Sequence, residues 1–124
     1  MAKYANDEMM DAALDYIITN CDKQTVCSQQ PTTYLEAVTT FMLAEVAIAG
    51  GNITKEDGST SGRQFNVAAK NNVDVTNTGT GNHVSLVDTI NSKLLFVTTA
   101  PAQAITAGNQ VNIGSWQDQI SDPT

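Results

Sequence analysis

Between Asp7 and Asn20 the apolar residues Met10, Ala13, Leu14, Ile17 and Ile18 recur at i, i+3, i+4, i+7 and i+8, the stripe of an amphipathic helix. Asn6 is placed to cap the exposed backbone N–H groups at its start. Asp7, Glu8 and Asp11 crowd the first turns, where the helix dipole favours negative charge, and Asn20 is the expected stop. The pattern predicts a helix laid either on a sheet of its own domain or on a neighbouring molecule.

A second, shorter helical turn is expected after Pro31, capped by Thr32 or Thr33, with Glu36 standing three residues after Thr33 in capping-box spacing. The stretch from Ala37 to Ile48 fits a continued helix or, from Thr40 to Ile48, a buried strand. The β-branched Thr39, Thr40, Val46 and Ile48 favour the strand.

Beyond Gly50-Gly51 the period changes to two. Phe65 and Val67 alternate with Gln64 and Asn66, Val73 and Val75 with Asp74 and Thr76, Val84 and Leu86 with Ser85, and Val111 and Ile113 with Asn112. Leu94-Leu95-Phe96-Val97 is apolar on both faces, the signature of a central strand. Turn residues separate the runs. Asp57-Gly58 and Gly62 bracket one loop, Asn71-Asn72 forms a two-residue link tolerant of positive φ, and Gly79 and Gly81 mark a mobile loop. Asn91-Ser92 forms another loop, Gly108-Asn109 a tight hairpin, and Trp116 and Ile120 belong to a last strand before Asp122-Pro123-Thr124. Strands recurring about every ten to twelve residues predict an antiparallel β-sandwich or small barrel. The expected fold is α+β, mostly β: a single domain over residues 1–124, with a helical segment over 1–20 and a β-rich body over 21–124.

Composition fits one core and narrows the partners. With 124 residues, 41% of them hydrophobic, the chain has material for one domain without a disulfide or metal staple. Only 15% of residues are charged, against roughly 25% in ordinary globular domains. Thr, Asn, Gln, Ser and Gly dominate the polar part, and such groups cost less to desolvate against another protein than charges do. The net charge is −7, from thirteen acids and six bases. The bases Lys3, Lys23, Lys55, Arg63, Lys70 and Lys93 stand singly, whereas phosphate neutralisation needs them clustered, so neither nucleic acid nor membrane is an expected partner. The opening Met1-Ala2-Lys3-Tyr4-Ala5-Asn6-Asp7-Glu8 has no signal-peptide pattern, and the apolar run from Phe41 to Gly51 is interrupted by Glu45, so a cytosolic compartment is expected. In that setting the sequon Asn52-Ile53-Thr54 is a chance match.

Candidate chemistry is sparse. His83 is the only histidine and lacks a flanking serine or cysteine motif; a strand-edge or partly buried residue bonded to backbone is its expected role. Cys21 and Cys27 have no second pair for zinc and are expected to pack as small apolar residues rather than to form a disulfide. Glu56-Asp57-Gly58-Ser59 lacks the alternating ligands and distal Glu of a calcium loop. Thr78-Gly79-Thr80-Gly81 lacks the Lys and following helix of a phosphate loop and reads as a turn. No catalytic, cofactor-binding or metal-binding residue is expected, and the chain is read as a non-enzyme.

The order of features resembles a family of small tailed-bacteriophage virion proteins. The resemblance rests on Ala12-Ala13-Leu14-Asp15-Tyr16-Ile17, on Val26-Cys27-Ser28-Gln29-Gln30-Pro31-Thr32-Thr33-Tyr34, on Gly62 to Ala69, and on Gly81-Asn82-His83-Val84-Ser85-Leu86-Val87-Asp88. Ser92-Lys93-Leu94-Leu95 and the close from Ala107-Gly108-Asn109 through Pro123 complete it. The resemblance implies a capsid decoration (cement) protein. It would be assembled in the host cytoplasm, located in the virion, and bound to the major capsid protein or other virion proteins as a homo-oligomer, with residues 1–6 and 121–124 as arms. A head–tail connector, collar, tail or fibre component is the alternative. A carbohydrate- or receptor-binding sandwich using Trp116, Tyr34 or His83 as a stacking platform is a third, although aromatics make up only 6% of the chain.

Overall fold

The computed structural model describes residues 6–57 and 62–120. The expected helix forms as α1, Asp7–Asn20. Asn6 is extended, and its Oδ1 accepts the Glu8 N–H at 2.7 Å. At the other end the Asn20 amide donates to the Tyr16 carbonyl at 2.8 Å, satisfying an acceptor in the last turn. Met10 and Leu14 of the predicted stripe are buried, Ile17 and Ile18 half-buried, and Ala13 exposed.

Nine strands follow: β1 (Lys23–Cys27), β2 (Met42–Ala47), β3 (Ile53–Asp57), β4 (Arg63–Val67), β5 (Lys70–Asp74), β6 (Gly79–Asp88), β7 (Lys93–Ile105), β8 (Gln110–Ile113) and β9 (Trp116–Ile120). All pairings are antiparallel. They form a four-stranded sheet β2-β1-β6-β7, a three-stranded sheet β3-β4-β9 and a two-stranded sheet β5-β8. Mostly-β α+β architecture is therefore what the sequence folds into. The small-barrel alternative does not close: an isolated Ala44–Val75 bridge joins the β2 edge to the residues after β5, but β7 and the outer strands of β3-β4-β9 pair with no further strand among the described residues.

Register shows how the layers stack. Val26 stands opposite Ala44 and Val84, and Gln24 opposite Val46 and Leu86, so these residues share one face of the large sheet. Leu86 packs with Leu14, Ile48, Ile53, Phe65 and Val67, which joins that face to β3-β4-β9 and to α1. Val26, Ala44 and Val46 pack with Val73, Val75, Val111 and Ile113, which joins it to β5-β8. Two small sheets thus cover one face of a large one. Each fully buried aliphatic side chain contributes about 1.5–3 kcal/mol relative to exposure.

The opposite face of the large sheet is covered by the segment from Pro31 to Thr40, with Pro31 and Ala37 buried. The Thr33 hydroxyl accepts the Glu36 N–H at 3.2 Å, and the Glu36 carboxylate accepts both the Thr32 N–H and the Thr32 hydroxyl. This is the predicted cap, with both threonines used. The turn it starts, Glu36–Thr40, is π-helical, and strand β2 follows as favoured.

Four expectations are corrected. Gly79 and Gly81 lie inside β6, not in a mobile loop: a Cβ on Gly81 would meet Val26 Cγ1 at 2.7 Å, and one on Gly79 would meet Leu43 Cδ2 at 3.0 Å. These glycines permit close packing of strands rather than flexibility. Asn71-Asn72 is not a link but an irregularity within β5, where Asn72 takes φ 58° and the register with β8 shifts. Gly108, at φ 90°, sits in a turn closed by the Asn109 N–H to the Thr106 carbonyl, yet this is no hairpin, because β7 pairs with β6 and β8 with β5. Finally, Leu94 to Val97 lie on β7, an edge strand; the central strands are β1 and β6. Residues 58–61 of the expected loop, between β3 and β4, lie outside the described residues, as do residues 1–5 of the expected arm 1–6 and the whole of the expected arm 121–124.

Among the described residues, the bases that stand singly in sequence find partners in space. Lys55 donates to Asp15 at 2.7 Å, and Arg63 Nε to Asp11 at 2.7 Å, with Asp57 on its Nη1. These pairs tie α1 to β3 and β4, which answers where the helix packs: on its own domain. Lys23 pairs with Glu45, Lys70 donates to Asn52 and Lys93 to the Tyr16 hydroxyl.

Candidate functional site

Pairing of β1 with β6 brings together a constellation that no sequence motif announces. Thr25 stands opposite Ser85, and Cys27 opposite His83. The Thr25 and Ser85 hydroxyls are hydrogen-bonded to each other, and Cys27 Sγ lies 3.6 Å from Thr25 Oγ1 and 3.7 Å from Ser85 Oγ. The thiol also donates to the Ala37 carbonyl at 3.5 Å. Thr25, Cys27 and Ser85 are fully buried, while His83 is half-buried and sets Nδ1 2.6 Å from Asn82 Oδ1.

A catalytic cysteine needs a base within hydrogen-bond reach and a lowered thiol pKa. Here burial pushes the Cys27 thiol up, only partly offset by the Thr25 and Ser85 hydroxyls. The Cys21 thiol is pushed up to about 11, again mainly by burial. His83 hydrogen-bonds to a side chain, not to backbone as expected. The four groups therefore act as a packed polar patch between strands. In the folded protein both thiols are expected to resist an aromatic disulfide reagent at neutral pH and to react fully once guanidinium unfolds the chain; rapid labelling of native Cys27 would reveal an accessible thiolate.

One buried and one half-buried acid are likewise accounted for by structure. Asp88, 1% exposed, accepts the Ile90 and Asn91 N–H groups and the Asn91 side-chain amide at 2.8 Å. The Asn91 side chain, followed by these backbone donors, holds its carboxyl below the ordinary range despite burial. Asp22 accepts the Thr89 N–H at 3.0 Å and its hydroxyl at 2.6 Å. Together they fix the turn that launches β7. Among the described residues no three His, Cys, Asp or Glu side chains form a group able to hold a metal, and no helix is long and apolar enough to cross a membrane.

Two clefts run beside β7. One, of about 500 Å³, lies where the two small sheets meet the large one, lined by Val26 and Val84, by Thr98 to Pro101, and by residues of β8 and β9. Among the described residues its lining carries hydroxyl and amide groups but no ionisable side chain. The other, shallower, is lined by Ala13, Tyr16 and Ile17 of α1, by Tyr34, and by Lys93 to Leu95 at the start of β7.

The three residues considered as a stacking platform are separated. Trp116 belongs to an aromatic trio, edge-on to Phe65 at 5.6 Å and stacked with Phe96 at 5.9 Å. Its Nε1 donates to the fully buried Gln24 at 2.8 Å. Tyr34 lines the shallow cleft and His83 the far face of the large sheet. No family model matches the chain, and neither a curated protein nor a solved structure matches it.

Proposed function

We propose that this chain is a structural virion protein of a tailed phage, a capsid decoration subunit that stabilises the shell through contacts with the major capsid protein. The observation that supports this reading best is the face of β3-β4-β9 turned away from the large sheet. There Gln64 is buried beneath its neighbours and shares its two Nε2 protons among Glu56, Asn66 and Gln117 at 2.7, 3.0 and 3.3 Å, so that the half-buried Asn66 and exposed Gln117 present amides at the surface. Amide-rich faces lose less on desolvation than charged ones and suit broad protein contacts. All five bases among the described residues are engaged within the chain.

A reconstruction of the parent particle tests the reading. Hundreds of copies on the outer shell are expected. A ring of about a dozen copies at one vertex assigns the chain to the connector or collar instead, and its absence from the particle overturns the virion reading altogether.

A further inference from the structure

We infer that the cleft of about 500 Å³ beside β7 is a binding site for a neutral sugar, held by one face of its ring and by its hydroxyls. The inference goes beyond the virion reading and does not depend on it.

An irregularity in the large sheet makes the cleft. Gly81 of β6 pairs with Gln103 and His83 with Thr99, so Asn82 alone stands against three residues of β7, Ala100 to Ala102. Such a bulge bends the strand that carries the extra residues and re-aims its side chains. Pro101, which has no N–H for the ladder, falls within it. Thr98 to Pro101 line one side of the cleft, and the chain from Val111 through Gly114 to Gln117 lines the other. The volume lies within the range usual for small-molecule sites, ~300–1,000 Å³.

Two kinds of group face this space. Val26 and Val84, opposite each other on β1 and β6, are apolar. Trp116 adds an indole in a fixed orientation, stacked with Phe96 at 5.9 Å and tied through Nε1 to Gln24 at 2.8 Å. Beside them Thr98, Gln103 and Ser115 bring hydroxyl and amide groups. These three side chains form no hydrogen bond within the chain among the described residues, so their donors and acceptors are open to a ligand.

The combination matches the two sides of a sugar. One face of a pyranose ring carries C–H bonds of slight positive charge, which pack on aliphatic side chains and on the electron-rich face of an indole. Its hydroxyls each donate and accept, and so do the unused hydroxyl and amide side chains. A wholly apolar ligand would leave those side chains dehydrated and unpaired. An ionised ligand would lose its hydration with no opposite charge among the described lining residues to replace it.

Trp116 is the only tryptophan, so its fluorescence reports on the site directly. The whole chain is titrated with methyl glucoside, methyl galactoside, methyl mannoside and N-acetylglucosamine. Glucuronate serves as the charged counterpart, and a short blocked peptide of threonine and alanine as a neutral extended chain. At least one neutral sugar is expected to shift the emission saturably with a Kd of about 1 mM, and glucuronate to bind at least about ten-fold more weakly. No atom lies within 4 Å of a Cβ added at Gly114, so Gly114→Leu fills the cleft and keeps the fold; it is expected to weaken binding at least about ten-fold. Ser115→Ala removes one hydroxyl at an exposed position and is expected to weaken it about three-fold, which keeps the test independent of any effect of Gly114→Leu on folding. Unchanged emission with all four sugars, sugar binding indifferent to both substitutions, or binding of the peptide in place of the sugars overturns the inference. Each of these leaves the capsid reading standing if copies are still found on the particle, so the two failures are separable.

Discussion

Leu14→Asp is expected to cost at least about 4 kcal/mol, enough to unfold much of the protein at 25 °C. Leu14 is 1% exposed and touches the cluster shared by α1, β3, β4 and β6. Truncating such a leucine costs roughly 2–5 kcal/mol through lost transfer energy and the cavity left behind. The aspartate adds a charge that must be desolvated there or protonated, and the helix neighbours Asp11 and Asp15 make the site less hospitable to it. The cations within reach of that helix, Lys55 and Arg63, are already engaged with those two acids. Urea unfolding measures the effect: the midpoint should collapse for Leu14→Asp, fall less for Ile17→Asp at its half-buried position, and barely move for Ala13→Asp on the exposed side. Equal midpoints for Leu14→Asp and Ala13→Asp would mean that the stripe is not buried.

Gly81→Val is the second large change, expected to lower stability by about 2–3 kcal/mol. The added Cβ alone meets Val26 Cγ1 at 2.7 Å, and the backbone carbonyl of Gln103 and Ile105 Cδ1 lie at 3.9 Å. Gly81 lines the cleft of about 500 Å³, so the γ-carbons can turn into it, but the collision of the Cβ with Val26 remains. Gly114→Val supplies the comparison, since nothing lies within 4 Å of its Cβ position. If Gly81 stood in a mobile loop, the two variants would melt alike; the strand placement requires Gly81→Val to melt well below Gly114→Val.

These two substitutions also mark where the sequence is and is not legible. The helix is read correctly because its signals are local: spacing of Met10, Leu14 and Ile17, a cap at Asn6, acids in the first turn. The strands around Phe65, Val73, Val84 and Val111 are read correctly because period two is local as well. Gly79 and Gly81 mislead because their reason for being glycine is Leu43 and Val26, side chains of strands 36 and 55 residues earlier in the chain. Leu94 to Val97 mislead in a different way: apolar character on both faces reports packing above and below the sheet, which an edge strand can receive as well as a central one, as Leu95 and Phe96 do against the core. Asn71-Asn72 signals positive φ, and Asn72 adopts it, but the same dihedral serves a turn or a strand irregularity.

The candidate sites were less legible than the fold. The Cys27–His83 juxtaposition depends on the register of β1 against β6, and Thr25–Ser85 spans 60 residues. Nothing in the spacing of these residues along the chain encodes that register. The pairing of scattered lysines and arginine with Asp11, Asp15, Asp57 and Glu45 is equally non-local. What composition did convey, a low charge density with abundant amides and hydroxyls, survives as the surface of β3-β4-β9.

The wiring of the large sheet has a kinetic consequence. Its second strand, made among the first thirty residues, lies between β2 and β6, and β6 is not complete until Asp88. A nascent chain emerging from the ribosome must therefore hold α1 and β1 in waiting while the partner that locks them is still being synthesised. Closing loops of that length before any reward in contacts makes for slow folding, on the millisecond-to-second scale. The early hairpin of β1 with β2 is then the natural nucleus, and the arrival of β6 the step that commits the chain.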